Sequence, residues 1–348
     1  MIPHSKPTIG KEEMRAVTSV LKNGFITQGK VTERFEEKFR KFIGTRYSLA
    51  VNSGTSGLHL ALLALRIKKG DEVIIPSYVC TALLNAVNYV GATPNIADIN
   101  EDDFNISVDS VKKLLSRRTK AIIAPHMFGL SADVKALNKL GVPVIEDCAM
   151  SLGASCGNEL VGSFGKIAIF SFYATKMMAT AEGGMILTDD RRIYNYINDV
   201  RDYDNKSFYQ VRYNFKATDL ASSLGIVQLT KLPAFISRRQ KIAAMYNSAL
   251  ADLDIVLPKA NQQGKHIYFR YVIRTDKTAD FLINKLRSLG IDAKKPVFRS
   301  IHIYLGLRQN DFPVTNRVYR SAVSLPIYPG LKDDQVKFVI NKLRKALK

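Results

Sequence analysis

One stretch of the sequence, residues 47–65, reads YSLAVNSGTSGLHLALLAL and predicts a strand, a turn and a helix in succession. Its apolar start predicts a short strand, and the Ser-Gly-Thr segment that follows predicts a turn. The apolar run from about Ser56 predicts a helix. A strand that leads through a tight turn into a helix is the repeating unit of parallel α/β sheets.

The same alternation continues on both sides of this stretch. Apolar runs predict buried strands at DEVIIPSY (71–78), ATPNIADI (92–99), KAIIAPHMFG (120–129), VPVIED (142–147), IAIFSFYA (167–174) and GGMILTDD (183–190). Helical spacing predicts helices at KVTERFEEKFRKFI (30–43), SVDSVKKLLS (107–116) and SADVKALNKL (131–140). The chain is therefore expected to be an α/β protein whose mostly parallel sheet is covered by helices on both faces.

The pattern changes past about residue 200. A polar stretch at residues 202–218 leads into a long helical segment at 218–250, and a strand follows at HIYFRYVIRT (266–275). Helical spacing then returns near residues 280–290 and 333–347. We predict two domains, a large α/β domain at residues 1–235 and a smaller α+β domain at 236–348, because single cores rarely grow to the length of this chain.

The chain is basic, and its positive charge is unevenly distributed. It has 51 Lys and Arg against 31 Asp and Glu, and residues 201–348 alone contain 27 and 11 of these. The cations are spread through helical patterns and form no compact basic run, so a nucleic-acid partner is not expected. A positive field of this kind suits an anionic small molecule.

The sequence contains no signal for export, membrane insertion or a metal site. The N-terminal segment MIPHSKPTIGKEEM lacks the apolar stretch of a signal peptide, and no apolar run approaches the length of a membrane helix. The cysteines Cys80, Cys148 and Cys156 form no CxxC pair. We therefore expect a cytoplasmic protein with neither a membrane partner nor a bound metal.

Three groups of residues follow predicted strands, where open α/β folds bind their ligands. The segment Ser53-Gly54-Thr55 is either an anion site at a helix N-terminus or a plain helix cap. Glu146 and Asp147 end a buried strand, and they either meet a cationic partner or cap the next segment. Lys176 lies among Phe and Met residues and is either a desolvated amine or a surface lysine.

Together these groups are more specific than any one of them. Pyridoxal 5′-phosphate (PLP) needs N–H donors for its phosphate, a carboxylate for its pyridine nitrogen and an amine for its aldehyde carbon. The three groups supply those partners in that order along one α/β unit. The sequence therefore favours a PLP site.

These residues lie within blocks that resemble the DegT/DnrJ/EryC1/StrS family of sugar aminotransferases. The resemblance runs nearly from end to end, through residues 24–65 (GFITQGKVTERFEEKFRKFIGTRYSLAVNSGTSGLHLALLAL), VIEDCAMSLGA (144–154), GSFGKIAIFSFYATK (162–176), EGGMILTDD (182–190), YNFKATDLASSLGIVQL (213–229) and SLPIYPGLKDDQV (324–336). It implies a fold-type-I PLP enzyme, with a mostly parallel seven-stranded sheet in the large domain and a smaller C-terminal domain.

The resemblance also implies a role for individual residues. Lys176 would be the Schiff-base lysine, and Asp147 would pair with the pyridine nitrogen. Ser53, Gly54 and Thr55 would hold the cofactor phosphate together with Ser171. Asn214 would reach the phosphate of the neighbouring subunit, which would make the active site a property of a homodimer.

Three positions depart from the family pattern. Relatives carry an aromatic residue that stacks on the cofactor ring where this chain has Cys80, the last residue of PSYVC. They usually have Gln or His where Met150 lies, near the phenolic oxygen of the cofactor, and Gln at Leu130. An aromatic stack contributes about 0.5–1.5 kcal/mol beyond buried area, so Cys80 is expected to weaken cofactor binding without abolishing it. The sulfur atoms of Cys80 and Met150 would contact the ring more softly.

The resemblance implies transamination of a nucleotide-linked keto-sugar with glutamate as the amino donor, in the synthesis of an amino sugar for a polysaccharide or related glycan. Lys294, Lys295, Arg299 and His302 are candidate contacts for the anionic diphosphate, or else exposed loop charges. Two alternatives stay open, a PLP-dependent sugar dehydratase and a degenerate PLP-binding regulatory protein. The dehydratases carry His in place of the lysine, and Lys176 argues against that alternative.

Overall fold

A seven-stranded sheet forms the centre of the large domain. The structure, a computed structural model, describes residues 1–259 and 264–347. The strands of the main sheet are β1 (Tyr47–Val51), β2 (Glu72–Pro76), β3 (Thr93–Ala97), β4 (Thr119–Pro125), β5 (Val144–Asp147), β6 (Ile167–Ser171) and β7 (Gly184–Thr188). Their order across the sheet is β1-β7-β6-β5-β4-β2-β3. Only β7 runs antiparallel to its neighbours, so the expected mostly parallel seven-stranded sheet is confirmed.

Smaller strands complete the β-structure of the described residues. Strands β8 (Tyr271–Arg274) and β9 (Ala322–Leu325) form an antiparallel pair in the C-terminal part of the chain. Three two-residue strands form a further small sheet at Ser155–Cys156, Glu159–Leu160 and Gly264–Lys265. The strand expected over residues 266–275 thus begins only at Tyr271, and the residues before it line a cavity described below.

Helices flank both sheets. They are α1 (Lys11–Asn23), α2 (Lys30–Ile43), α3 (Gly54–Ala64), α4 (Ala82–Tyr89), α5 (Val108–Leu114), α6 (Val134–Asn138), α7 (Arg191–Val200), α8 (Asp219–Leu250), α9 (Ala279–Ser288), α10 (Ile301–Tyr304), α11 (Pro313–Ser321) and α12 (Asp333–Leu347). Short 3₁₀ turns occur at Met127–Gly129 and Gln309–Asp311. Helix α2 has the bounds expected from its spacing, whereas α3 begins at Gly54, two residues earlier than expected, because Ser53 caps it.

The long helix α8 connects two hydrophobic cores. Leu229, Leu232 and Ile236 pack into a core that includes Phe35 of α2. The C-terminal half of α8 packs with β8, β9, α9 and α12 in the second core, which Ile2 also joins. The predicted domain boundary at residues 235 and 236 falls inside this continuous helix, and the division into domains stays a prediction.

Helix α8 is also the one helix of the described residues that is long and apolar enough to cross a membrane by length and composition. The expectation that no apolar segment reaches that length therefore needs correction. The helix packs against α1, α2 and α12, and 44% of its most apolar window is buried inside the protein. Its apolar character is thus the character of a core helix.

Candidate functional site

The start of helix α3 follows strand β1 directly. Ser53 Oγ accepts a hydrogen bond from Ser56 N at 3.0 Å, so Ser53 caps the helix as one of the two sequence interpretations proposed. The N–H groups of Gly54 and Thr55 have no acceptor among the residues that the structure describes. Unpaired N–H groups in the first turn of a helix form an anion site, so the cap and the anion site coexist.

Gly54 packs tightly against the ends of strands β6 and β7. A Cβ atom at Gly54 would lie 3.0 Å from Ser171 Cβ, and one at Gly184 would lie 2.9 Å from Gly54 N. Ser171 and Gly184 are paired in the sheet and lie beneath the turn. The structure therefore brings Ser53, Gly54 and Thr55 close to Ser171, and these four residues are named the anion cradle.

Asp147 ends strand β5 at the same edge of the sheet. Its side chain is buried, and Oδ1 accepts a hydrogen bond from Ala149 N at 3.0 Å. Burial raises the pKa of Asp147 above its ordinary value, while the bond from Ala149 and the nearby Lys176 act in the opposite direction. A buried carboxylate with one donor requires a further donor or cation when it is ionised.

Lys176 lies in the loop between strands β6 and β7. Its ammonium nitrogen is 5.5 Å from the ring centroid of Phe269, and its side chain has no ion pair in the described structure. Burial lowers the pKa of Lys176 below its ordinary value, against the opposing effect of Asp147. A lysine held this way has its neutral, nucleophilic amine more readily available.

Cys80 and Met150 line the cavity that Lys176 also lines. Cys80 is exposed to this space, and Met150 is half-buried between two core clusters. Leu130 is buried outside the lining of this cavity. The two sulfur-bearing side chains thus lie next to the predicted cofactor position, whereas the departure at Leu130 is a matter of packing.

The cavity has a volume of about 990 Å³ and opens beside Lys176. Its charged lining residues are Lys176, Arg270, Asp280, Arg287, Lys294, Lys295 and Arg299. Asp280 is already engaged with Lys295 at 2.8 Å. Besides Lys176, the lining has five cations and one carboxylate, and Lys294 also pairs with Asp292 at 3.3 Å. The lining therefore stays positive, which suits an anionic ligand.

Four residues of the C-terminal part were candidates for diphosphate contacts. Lys294, Lys295 and Arg299 line the cavity as expected. The expectation for His302 is wrong, because its ring is buried between Ser77 Oγ at 2.5 Å and Asn316 Oδ1 at 3.1 Å. His302 thus links helix α10 to the end of strand β2.

Asn214 lies beside the start of helix α3 of its own chain. Its main-chain oxygen accepts a hydrogen bond from Asn52 Nδ2 at 3.1 Å, and its side chain is exposed. Thr218 caps helix α8, so Asn214 has no capping role there. The predicted contact of Asn214 with a partner's cofactor phosphate stays a prediction.

Sequence reasoning missed the contribution of the segment before strand β8. Phe269 and Arg270 line the cavity, together with Tyr319 of α11. The signal was Arg270 in the middle of the largely apolar and aromatic run IYFRYVI (267–273), which sequence reasoning assigned to a strand. A charged side chain inside such a run needs a polar environment or a charged partner.

A buried cluster of His126, Glu146 and Cys148 has potential metal ligands within 4.8 Å of one another. The ring of His126 is already used on both sides, because Nδ1 accepts from Ala132 N and Nε2 lies 2.9 Å from Glu146 Oε2. Glu146 also accepts bonds from the N–H groups of residues 162, 164 and 165. These saturated groups stabilise the loop after β5 and leave no free ligand atom on the histidine.

The arrangement of an anion cradle, a buried carboxylate and a desolvated lysine at one sheet edge agrees with the family comparison. The model of the DegT/DnrJ/EryC1/StrS aminotransferase family matches residues 7–344. The chain belongs to this family. The resemblance stated from the sequence is therefore confirmed.

Characterised relatives and solved structures match over nearly the full length. The chain is 34% identical to the spore coat polysaccharide biosynthesis protein SpsC of Bacillus subtilis, over 100% of this chain and 97% of SpsC. It is 32% identical to GDP-perosamine synthase of Vibrio cholerae, over 99% and 98% of the two chains. The aminotransferase TlmJ of Streptoalloteichus hindustanus superposes with a TM-score of 0.95 at 28% identity, over 100% and 99%.

DegT/DnrJ/EryC1/StrS aminotransferases depend on PLP, and solved structures similar to this chain include PLP and PMP forms. The residues of this chain fit that cofactor. Gly54 lets the helix start pack directly against Ser171, and two unpaired N–H groups lie at this helix start. Asp147 ends strand β5 and Lys176 follows strand β6, so a carboxylate and an amine lie at the same edge of the sheet. The fold-type-I architecture and the PLP-dependent aminotransferase assignment are thus both confirmed.

Proposed function

We propose that this aminotransferase transfers an amino group from glutamate to a nucleotide-linked keto-sugar. The observation that carries the proposal is the cavity beside Lys176, whose lining has five further Lys and Arg side chains and one paired carboxylate. A nucleoside diphosphate has a charge that such a lining can neutralise, whereas a neutral free sugar does not. The name of the relative GDP-perosamine synthase supports a nucleotide-linked substrate.

Lys176 is proposed as the catalytic lysine. PLP, when bound, supplies an electrophilic carbon and a ring that withdraws electrons from the carbon next to the reacting nitrogen. Lys176 Nζ would hold the cofactor covalently, and the same amine, when free, would remove the proton from the donor's Cα. The lowered pKa of Lys176 favours the neutral amine that this step requires.

Asp147 is proposed to hold a proton on the pyridine nitrogen. A cationic ring nitrogen would give the buried carboxylate the partner that it otherwise lacks, and this pairing favours the ionised form of Asp147. The hydrogen bond from Ala149 N fixes the orientation of the carboxylate. Asp147 would therefore maintain the electron-withdrawing capacity of the ring.

The phosphate is proposed to lie in the cradle of Ser53, Gly54, Thr55 and Ser171. Asn214 would complete it from the neighbouring subunit, so that the working unit is a homodimer with shared active sites. The exposed aromatic side chains of Tyr203, Phe208 and Tyr209 precede Asn214 in the same loop and suit burial against a partner chain. We place the enzyme in the cytoplasm, in a route to an amino sugar for a polysaccharide or related glycan.

The first half of the reaction tests the proposal directly. The PLP-loaded protein should have a visible absorbance band that disappears when L-glutamate is added, because the former aldehyde carbon of the cofactor loses its conjugated double bond. A Lys176→Ala variant should retain PLP noncovalently through the phosphate and ring contacts, yet show no turnover. A near-normal rate of transamination by the alanine variant would refute the role of Lys176.

A further inference from the structure

Two arginines near the catalytic lysine have no carboxylate partner in the described structure. Arg239 is buried on helix α8, and its Nη1 donates to the main-chain oxygens of Tyr268, Phe269 and Ile327 at 2.8–3.3 Å. Arg270 lines the cavity, and its Nε is buried without a hydrogen-bond partner. A partly buried cation without a carboxylate partner attracts anions, so Arg270 marks a place in the cavity where an anionic ligand would be favoured.

A contact with His4 partly fixes the orientation of Arg270. Its Nη1 lies 3.2 Å from His4 Nε2, which is itself 2.8 Å from Ser324 Oγ. Burial lowers the pKa of His4 to about 3, so the ring is neutral at neutral pH and accepts from the guanidinium without adding charge. Burial lowers the pKa of Arg270 only to about 10, so its own charge persists.

Arg270 also lies close to the reacting group. Its Cζ is 5.3 Å from the ring centroid of Phe269, and Lys176 Nζ is 5.5 Å from the same centroid. The positive charge of Arg270 contributes to the lowered pKa of Lys176. A group bound by Arg270 therefore lies in the same cavity as the amine at which the chemistry occurs.

We propose that Arg270 binds a carboxylate of the amino donor and thereby positions the donor's α-carbon at Lys176. This inference rests on the proposed transamination and assigns the donor subsite within the cavity. The α-carboxylate is attached directly to the reacting carbon of an amino acid, whereas the diphosphate of a nucleotide-sugar lies several bonds from the reacting ketone. Arg287 and Arg299 also line the cavity and remain available for that more distant anion.

Arginine suits this role because its planar guanidinium can donate two parallel hydrogen bonds to one carboxylate. Arg239 acts from behind as a positioning residue, since its bonds to the oxygens of Tyr268 and Phe269 hold the backbone that carries Arg270. Its charge adds to the positive potential felt by the bound carboxylate.

A nonreactive dicarboxylate tests binding separately from turnover. Glutarate has the carboxylates of glutamate but no amine, so it should raise the thermal midpoint of the PLP-loaded protein by binding the folded state. Arg270→Gln should abolish most of this rise, and Arg270→Lys should retain part of it. Arg274→Gln is the matched control, because it removes the same charge four residues further along, where Arg274 pairs with Glu101 outside the cavity.

The kinetics of the half-reaction with glutamate show whether Arg270 binds the amino donor or the nucleotide of the acceptor. The glutamate concentration that half-saturates loss of the visible band should rise at least tenfold in Arg270→Gln and stay within twofold in Arg274→Gln. Stabilisation by a nucleoside diphosphate should be equal in the wild type and both variants. If Arg270→Gln loses the response to the nucleoside diphosphate and keeps the response to glutarate, Arg270 binds the acceptor and the inference is wrong.

Two further outcomes distinguish failure of the inference about Arg270 from failure of the proposed transamination. Unchanged glutarate stabilisation and unchanged glutamate dependence in Arg270→Gln would overturn the inference and leave the transamination intact. A wild-type protein whose visible band responds to no amino acid would instead refute the proposed function, whatever Arg270 binds.

Discussion

Asp147 has two possible contributions that one substitution can separate. Replacement by Asn keeps the shape and can still accept from Ala149 N, but it removes the charge that would stabilise a protonated pyridine nitrogen. We expect Asp147→Asn to lower the transamination rate by several orders of magnitude with an unchanged thermal midpoint. If the variant keeps most of its activity, Asp147 serves only to order the turn after β5.

Cys80 and Met150 offer a gain-of-affinity test. Both side chains line the cavity beside Lys176, which has room for a larger group. Cys80→Phe restores a ring that can stack on the cofactor, and Met150→Gln restores a hydrogen-bond donor near its phenolic oxygen. The dissociation constant for PLP, measured by titration of absorbance, should fall or stay the same in each variant. A sharp rise in both would mean that the pocket is built differently from that of the relatives.

Individual site residues differ in how well the sequence predicted their positions. Ser53, Gly54, Asp147 and Lys176 follow predicted strands, and parallel strands place such ends at one edge of a sheet. Arg270 could not be assigned this way, because its position depends on where strand β8 begins and on contacts with His4 from the other end of the chain. His302 was predicted to contact the substrate but is buried instead. Its partner Ser77 is 225 residues away in the sequence, so no local pattern indicated this contact.

Helices α2 and α8 are joined by one buried carboxylate. Asp219, the first residue of α8, accepts hydrogen bonds from Gly29 N, Val31 N, Thr32 N and Thr32 Oγ1 at 2.7–3.2 Å. It thereby caps α2 from another helix and fixes the loop that leads into it. No local pattern in the sequence predicts this contact, because the partners are separated by nearly 190 residues.

Removal of this carboxylate should destabilise the protein strongly. Asp219→Ala leaves several buried donors unpaired, and we expect the free energy of unfolding to fall by about 3 kcal/mol. Thr278→Ala is a suitable comparison, because it removes an exposed cap of α9 and should cost about 1 kcal/mol. Denaturant unfolding monitored by circular dichroism measures both. Equal losses in the two variants would show that the link between α2 and α8 contributes nothing beyond an ordinary cap.

The helices and strands were largely predictable where a helical hydrophobic period extended over several turns or where a strand was continuously apolar. Helix α2 and strands β2 and β5 lie where the sequence indicated. The reversed direction of β7 was not predictable from its apolar run, because burial on both faces gives the same pattern in parallel and antiparallel strands. The first half of HIYFRYVIRT departs from the predicted strand, because Ile267 N and Arg270 N donate to the main-chain oxygens of Gly129 and Phe128.

The complete enzyme is expected to work as a dimer with shared sites. Lys176→Ala and Asn214→Asp should each be inactive, the second because a carboxylate would repel the partner's cofactor phosphate. Mixed dimers would contain one site with both defects and one with neither, so activity should return after subunit exchange. The exchange can be followed by mass spectrometry of differently tagged chains. Sedimentation of the active protein as a monomer, or exchange without recovery of activity, would contradict shared sites.

The positive charge of the C-terminal half has a specific location in the folded chain. Much of it is dispersed on surface helices, but several cations converge on the cavity beside Lys176. The composition predicted an anionic partner without indicating where it binds. The position of these cations in the folded chain therefore supports the proposal of a nucleotide-linked sugar as the substrate.

The second half of the reaction tests that proposal most directly. The enzyme is first converted to its pyridoxamine form with L-glutamate, and excess amino acid is removed. Nucleoside-diphosphate keto-hexoses and the same keto-hexoses without the nucleotide are then added separately, and the visible absorbance band is recorded. We predict that at least one nucleotide-linked keto-hexose restores the band at low concentration, while its free counterpart fails at a hundredfold higher concentration. Equal restoration by the free sugars, or by 2-oxoglutarate alone with no response to any keto-sugar, would contradict the proposed substrate class.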